Sequence, residues 1–182
     1  MGEIGQLNAV ETILPGILAY YSISSVDHIS RKNKQQIQIL TLDSFGKSLL
    51  IDGKLSSCTS DEFIYHECFT HPALLSHENP KSVLILGGGT GGLSREVLRH
   101  RSIERVVLVD FDENLIELIK THLPSYYRGS FDNKKLSTVI NDARDYLQNS
   151  NENFDIILLD LPDPSISELS STFYNEDFYK LG

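Results

Sequence analysis

The chain has 182 residues, 40% of them hydrophobic, and a formal net charge of −9 at pH 7. This acidic balance argues against a nucleic-acid partner, because proteins bind phosphate backbones with clustered Lys and Arg. The length allows one substantial domain, or a domain with a small appendage. The two cysteines, Cys58 and Cys68, form no CxxC motif, so we expect a reducing, cytoplasmic environment.

The N-terminal part of the chain shows little periodicity, and it carries acids rather than a basic stretch, so we predict no secretory signal. Residues 12–26 are uncharged, but this stretch is short and is interrupted by Pro15 and Gly16. That is too little to span a bilayer, and we predict no membrane segment in this chain.

The next part of the chain predicts a small β-meander and a helix. The predicted strands are Gln36–Leu42, Lys47–Ile51 and Lys54–Cys58. A hairpin turn at Asp52-Gly53 joins the last two. A capping-box pattern then predicts a helix from about Asp61 to His71, which Pro72 should end or kink. We assign residues 1–78 to an N-terminal domain and residues 79–182 to a second domain.

A glycine-rich loop marks the start of the second domain. The apolar run Val83–Leu86 predicts a buried strand, and Gly87, Gly89 and Gly92 then satisfy the pattern GxGxxG. Only glycine lets a backbone turn this tightly and approach a ligand this closely. A second strand, Arg105–Asp110, ends in an acid where a ribose hydroxyl would be held. Together these features predict a nucleoside-binding βαβ unit.

Helices and strands continue to alternate after this unit. The pattern predicts a helix over 112–123, strands at Leu136–Ile140 and Phe154–Asp160, and a short helix between these strands. Such alternation is typical of an α/β fold with a doubly wound parallel sheet. Right-handed crossovers place the carboxyl ends of all parallel strands at one edge of the sheet.

Carboxylates collect at this edge: Asp110, Asp142, Asp160 and Asp163. Asp110 and Asp142 could equally serve as helix caps. Asp160 follows four apolar residues that predict a buried strand. Because burying an unpaired charge is costly, we expect Asp160 to have a polar partner or a functional role. Prolines on both sides of Asp163 should hold this loop rigid. A rigid pair of carboxylates beside a nucleoside pocket suits a cationic substrate that must lose a proton.

Several motifs occur in the order and spacing of the spermidine synthase family. They are Asp52-Gly53, the segments 60–67 and 83–89, Asp110, and Asp160-Leu-Pro-Asp-Pro164. The sequence resembles these polyamine aminopropyltransferases, which have the fold of S-adenosylmethionine-dependent methyltransferases. The motif at 160–164, followed by the segment 173–179, is most similar to the bacterial branch of the family.

The resemblance implies a decarboxylated S-adenosylmethionine donor and a diamine acceptor such as putrescine. It implies that Asp110 holds the ribose hydroxyls and that Asp142 holds the adenine amino group. The other implied donor-binding residues are Gln35, Gly87, Gly88, Gly89, Thr90, Gly91 and Ala143. Asp160 would take the proton from the attacking amine, helped by Tyr65. Asp163 would bind the acceptor, and His66 would line its pocket. The sulfonium donor is already activated, so no metal is implied.

The chain departs from the family pattern in three places. Thr90 stands where the glycine loop usually carries an acid that recognises the donor's amino group, and Ser56 stands where the family has a Gln. The family's sheet has seven strands, and residues 1–182 end soon after the fourth, so we expect a C-terminally truncated form. An open sheet edge favours self-association, and we predict a homo-oligomer such as a dimer.

Other functions remain open from the sequence. Thr90 need not select a decarboxylated donor, so another S-adenosylmethionine-dependent transferase, such as a methyltransferase, is an alternative. A non-catalytic nucleoside-binding or assembly module is a second one. An NAD-dependent dehydrogenase fits the glycine loop but leaves the 160–164 motif unexplained. His66 and His71 resemble the HExxH zinc motif with one residue too many, which turns the two imidazoles roughly 140° apart on a helix.

Overall fold

The computed structural model describes residues 7–32, 35–162 and 173–181. The chain divides into two compact units, Met1–Ile64 and Tyr65–Gly182. This boundary lies earlier than the predicted one at residue 78, because the helix placed in the first domain contributes Leu74 to the core of the second unit. Among the described residues, no helix combines the length and apolar character that a membrane crossing requires.

The first unit is a five-stranded antiparallel sheet whose strands are hydrogen-bonded in chain order. Its strands are β1 (Asn8–Leu14), β2 (Ile17–Lys32), β3 (Gln35–Leu42), β4 (Gly46–Ile51) and β5 (Lys54–Cys58). The predicted meander of β3 to β5 is confirmed, including the turn at Asp52 and Gly53, where both residues have positive φ (50° and 77°). Leu40, Leu42 and Leu50 form the core cluster beneath this sheet.

Strands β1 and β2 were not predicted from the sequence. They form a hairpin around Gly16, whose φ is +83°. Many of their apolar side chains are exposed, as with Tyr20 at 65%. Pairing of β2 with β3 also shifts register twice, which interrupts the two-residue alternation that identifies a strand.

The second unit contains a four-stranded parallel sheet in the order β8-β7-β6-β9. Its strands are β6 (Ser82–Gly87), β7 (Arg105–Asp110), β8 (Leu136–Ile140) and β9 (Ile156–Asp160). The described helices are α1 (Glu62–Ser76, with its residues from Tyr65 onward in this unit), α2 (Gly92–Leu98), α3 (Glu113–His122), α4 (Pro124–Tyr127), α5 (Ala143–Asn149) and α6 (Glu176–Tyr179). The predicted doubly wound α/β fold is confirmed.

Strand β6 lies at the centre of this sheet and is buried on both faces. Val83 and Ile85 belong to one core cluster, whereas Leu84 and Leu86 belong to another. This alternation follows from the two-residue period of a strand, and it explains the continuous apolar run in the sequence. Helix α1 extends past the predicted end at His71 to Ser76, with Pro72 inside it, and Leu74 in this extension is buried in the first of these clusters.

The register of the parallel strands positions the site. Gly87, the last residue of β6, pairs with Asp160 of β9, and Leu86 pairs with Val109, the residue before Asp110. The two acids therefore end the strands on either side of the strand that leads into the glycine loop.

Candidate active site

Asp110 is a buried carboxylate whose two oxygens are both held by backbone amides. Its Oδ2 accepts the N–H of Gly89 at 2.8 Å, and its Oδ1 accepts the N–H of Asp112 at 2.9 Å. Burial raises its pKa to about 6, although these two hydrogen bonds favour the charged form. The N-cap of α3 is Asp112, which accepts from Asn114 and Leu115, so the alternative reading of Asp110 as a helix cap is wrong.

The glycine loop is pressed against the acids on both sides. A Cβ added to Gly89 would lie 2.6 Å from Oδ2 of Asp110, and one added to Gly87 would overlap the carbonyl oxygen of Asp160. Gly87 and Gly88 also have φ values of +85° and +77°, which side chains rarely adopt. The loop needs glycine for its conformation and for the space beside the strand ends.

Asp160 is half-buried and hydrogen-bonded to Tyr65. The phenol oxygen of Tyr65 donates to Oδ1 of Asp160 at 2.6 Å. Loss of solvent raises the pKa of Asp160, and the hydrogen bond from Tyr65 opposes this increase. Loss of solvent and the charge of Asp160 also raise the pKa of Tyr65, which therefore stays protonated as a donor. The pair joins a carboxylate of increased basicity to a phenol hydroxyl that donates to it.

His66 lies beneath the glycine loop. Its side chain is 3% exposed, and its Nε2 lies 3.4 Å from Oγ1 of Thr90. A Cβ on Gly92 would overlap the imidazole ring, so the last glycine of the motif makes room for His66. The structure thus places His66 against the glycine loop at Thr90 and Gly92.

Asp142 caps α5, as the sequence suggested. Its carboxylate accepts the N–H groups of Arg144 at 2.8 Å and Asp145 at 3.3 Å. The backbone N–H of Asn141 donates to the carbonyl of Asp110, which ties this cap to the end of β7. Ala143, the first residue of the helix, is buried. The capping hydrogen bonds account for Asp142 structurally, and its contact with adenine stays a prediction.

Gln35 is the first residue of β3, and Ser56 lies in β5, both in the first unit. Their roles at the site stay predictions. Asp163 lies outside the described residues.

Two exposed apolar residues, Phe111 and Ile140, were not predicted as site residues from the sequence. Phe111 follows Asp110 and is 55% exposed, and Ile140 ends β8 and is 45% exposed. Exposed apolar side chains beside convergent polar groups are typical of ligand pockets. The signal in the sequence was an aromatic residue after the strand-ending acid, where a polar residue would be expected at a solvent-exposed turn.

A second polar cluster lies away from the glycine loop. Glu67, His71 and Glu96 bring one potential ligand atom each within 4.8 Å of one another. The guanidinium of Arg99 donates to Glu67 at 3.1 Å and to Glu96 at 2.6 Å, and Nε of Arg95 donates to Glu96 at 2.6 Å. Burial raises the pKa of Glu96, but these arginines outweigh it and lower the pKa overall.

The charges of this cluster are therefore already compensated by arginine, and we assign it as an ion-pair network. His71 contacts His100 through Nδ1 at 2.9 Å, whereas His66 contacts the glycine loop. The two histidines of the HExxH-like segment thus belong to different environments.

Comparisons with known proteins show which family the chain is similar to. The family model described as Spermine/spermidine synthase domain matches residues 62–182. A polyamine aminopropyltransferase of Aeropyrum pernix is 39% identical over 173 residues, which are 94% of this chain and 55% of that protein. A thermospermine synthase of Arabidopsis thaliana is 44% identical over 170 residues, 93% of this chain and 50% of that protein.

Solved structures agree with this placement. The spermidine synthase of Thermotoga maritima superposes with a TM-score of 0.88 at 31% identity, covering 97% of this chain and 59% of that one. A spermidine synthase in complex with the transition-state analogue AdoDATO superposes with a TM-score of 0.90 at 30% identity, covering 100% of this chain and 62% of that one. The chain spans about half the length of the curated relatives it matches. It belongs to the spermine/spermidine synthase family.

Proposed function

We propose that this chain carries the donor site and the catalytic base of an aminopropyltransferase. The donor would be decarboxylated S-adenosylmethionine, and the acceptor a diamine such as putrescine. The observation that carries this proposal is the 2.6 Å hydrogen bond between Tyr65 and Asp160, beside a glycine loop whose other side contacts Asp110. A nucleoside site and a basic carboxylate are thus adjacent at one edge of the sheet.

The donor side of the site is built around Asp110. Each carboxylate oxygen offers about two lone pairs, and each already accepts one backbone N–H, so acceptor capacity remains for the ribose hydroxyls. The glycine loop from Gly87 to Gly91, with Thr90 in it, would lie against the nucleoside. Asp142 and Ala143 would contact the adenine amino group, and Phe111 would cover the base with its exposed ring.

The acceptor side of the site must remove a proton. An alkylammonium with a pKa near 10 is almost entirely protonated at neutral pH, and only its neutral form is nucleophilic. Asp160 would take this proton, because its raised pKa makes it a stronger base than an ordinary carboxylate. Tyr65 would keep the carboxylate oriented. His66 and Asp163 would line the amine pocket.

No metal is part of this proposal, because a sulfonium carbon is already activated toward an amine. What the protein must add is in-line positioning of the amine against the carbon next to sulfur. Self-association as a dimer, a cytoplasmic location and membership of the bacterial branch stay predictions.

One observation favours a second candidate function. Thr90 replaces the acid that would pair with the amino group of a decarboxylated donor, and its hydroxyl faces Nε2 of His66 at 3.4 Å. An uncharged residue there is compatible with the carboxylated donor of a methyltransferase. A non-catalytic nucleoside-binding module is the third outcome to be distinguished.

Calorimetric titration separates these functions. The protein would be titrated with decarboxylated S-adenosylmethionine, S-adenosylmethionine, methylthioadenosine and NAD, and then incubated with putrescine and each sulfonium donor. We expect binding of methylthioadenosine and of the decarboxylated donor, and an aminopropylated amine by mass spectrometry. A preference for the carboxylated donor would contradict aminopropyl transfer and support a methyltransferase. Nucleoside binding without any turnover would support the non-catalytic module.

A further inference from the structure

The segment between α3 and β8 packs directly behind the glycine loop. Gly91 has a φ of +75°, and a Cβ on it would lie 2.6 Å from Cβ of Tyr127 and 2.7 Å from the ring of Phe131. The segment comprises α4 and a short 3-10 helix, Ser130–Asp132. It therefore supports the loop at Gly91, although neither element carries a residue of the proposed chemistry.

A buried hydroxyl of this segment contacts the loop backbone. Oγ of Ser130 donates to the carbonyl of Gly91 at 3.2 Å, and Oγ of Ser94 donates to the same carbonyl at 2.9 Å. The two hydroxyl oxygens lie 3.0 Å apart, and both side chains are buried. The backbone N–H of Arg95 also donates to this carbonyl at 3.0 Å. The Gly91 carbonyl thus accepts hydrogen bonds from the following helix and from a segment distant in sequence.

The chain holds Ser130 in place by two independent means. Arg128 and Gly129 both adopt left-handed conformations, with φ of 43° and 80°, and this turn directs Ser130 toward the loop. Nη1 of Arg95 donates to the carbonyl of Tyr126 at 2.5 Å, which fixes α4 against α2. The position of the hydroxyl is therefore determined by backbone geometry and by a buried arginine.

We propose that Ser130 is a positioning residue that holds the glycine loop in its nucleoside-binding conformation through the Gly91 carbonyl. This role deepens the proposed function and rests on it where donor affinity is concerned. Loss of the hydroxyl removes one of the contacts that fix Gly91, and the loop opens locally more often. Because Gly91 is the last of the proposed nucleoside-binding residues of the loop and directly precedes α2, the opening would reduce affinity for the donor.

Hydrogen exchange of the ligand-free protein tests this role without any assumption about activity. Ser130→Ala should accelerate exchange of the backbone amides of residues 88–92 about fivefold, the effect expected for one hydrogen bond. Exchange in β7 should not change. Ser125→Ala is the matched control, because Ser125 is an exposed serine of the same segment, and it should alter neither region. Equal acceleration in the loop and in β7, or none in the loop, would overturn the proposal.

Ligand binding supplies the second readout. Ser130→Ala should weaken methylthioadenosine about fivefold and raise the KM for the donor by a similar factor, with less than a twofold effect on kcat. Because Ser94 and Ser130 share one acceptor, Ser94→Ala and the double variant should give non-additive losses of affinity. Additive losses would contradict action through Gly91. If the wild-type protein showed no turnover, the proposed function would be contradicted. The hydrogen-exchange measurement would still test the role of Ser130, because it does not depend on activity.

Discussion

The carboxyl ends of β7 and β9 carry the same residue type in two different surroundings. Asp110 and Asp160 each end a strand next to β6, and loss of solvent raises the pKa of both. Asp110 is held by two backbone amides, whereas the hydrogen bond described for Asp160 comes from the side chain of Tyr65. Backbone amides are fixed by the fold, while a side-chain donor can reorient.

This difference suggests a division of labour between the two acids. A carboxylate clamped between the glycine loop and the start of α3 is suited to hold a ligand in one orientation. A half-buried carboxylate with a raised pKa and a phenol partner is suited to accept a proton. Equivalent positions in a parallel sheet can thus support binding or chemistry, depending on what surrounds each carboxylate.

Among the variants of these two acids, Asp160→Asn should have the largest effect, and the effect should be on turnover. The amide keeps the shape of the side chain and can still accept from Tyr65, but it cannot take a proton. We expect turnover to fall about 10²–10⁴-fold, the usual contribution of a positioned base, with methylthioadenosine affinity largely unchanged. Asp177→Asn, which changes an exposed carboxylate of α6, is the control. An active Asp160→Asn enzyme would contradict the assignment of the base.

Asp110→Asn should instead reduce binding. Its amide group would place N–H against the N–H of Gly89 or of Asp112, so one fixed hydrogen bond is lost and the loop is disturbed. Hydrogen bonds to charged groups contribute about 1.5–3 kcal/mol, which predicts a loss of methylthioadenosine affinity of roughly 10–100-fold. Calorimetric titration measures this loss. Unchanged affinity would remove Asp110 from the nucleoside site.

The same variant should change how stability depends on pH. The folded protein binds a proton at Asp110 with a pKa of about 6, whereas an unfolded Asp titrates near 4. Asp110 therefore favours the folded state below pH 4, and this contribution is lost as the pH rises through 6. From pH 7 to pH 4, urea unfolding should show that wild type gains on the order of 2–3 kcal/mol in its free energy of unfolding relative to Asp110→Asn. Parallel stability curves would contradict the raised pKa.

Tyr65→Phe should reduce the rate less than the two Asp variants, and the size of the loss should depend on pH. The hydrogen bond from Tyr65 opposes the upward shift in the pKa of Asp160, so its removal should raise that pKa further. Because the base must be unprotonated, the acidic limb of the kcat/KM profile should move to higher pH. We expect a rate loss of about tenfold at neutral pH, corresponding to one charged hydrogen bond. A loss that is equal at all pH values would point to a role in orientation alone.

Much of the second unit could be predicted from the sequence because its signals are local. The strand at Val83, the glycine loop and the strand ending at Asp110 each follow from runs of side chains and from backbone requirements. The N-cap of α5 at Asp142 follows from the same kind of local chemistry. Strands β1 and β2 could not be predicted, since their register shifts and exposed side chains remove the period of two.

By itself, the sequence determined the family, the α/β class and the acids at the strand ends, because these depend on order, spacing and short-range periodicity. Tertiary structure decided which groups surround each acid. It brought Tyr65 to Asp160 across 95 positions of the chain and placed the Ser130 hydroxyl on Gly91. It also separated Asp110 from the cap of α3, which is Asp112. Desolvation and hydrogen bonding set the chemistry of a carboxylate, and both arise only when distant segments pack together.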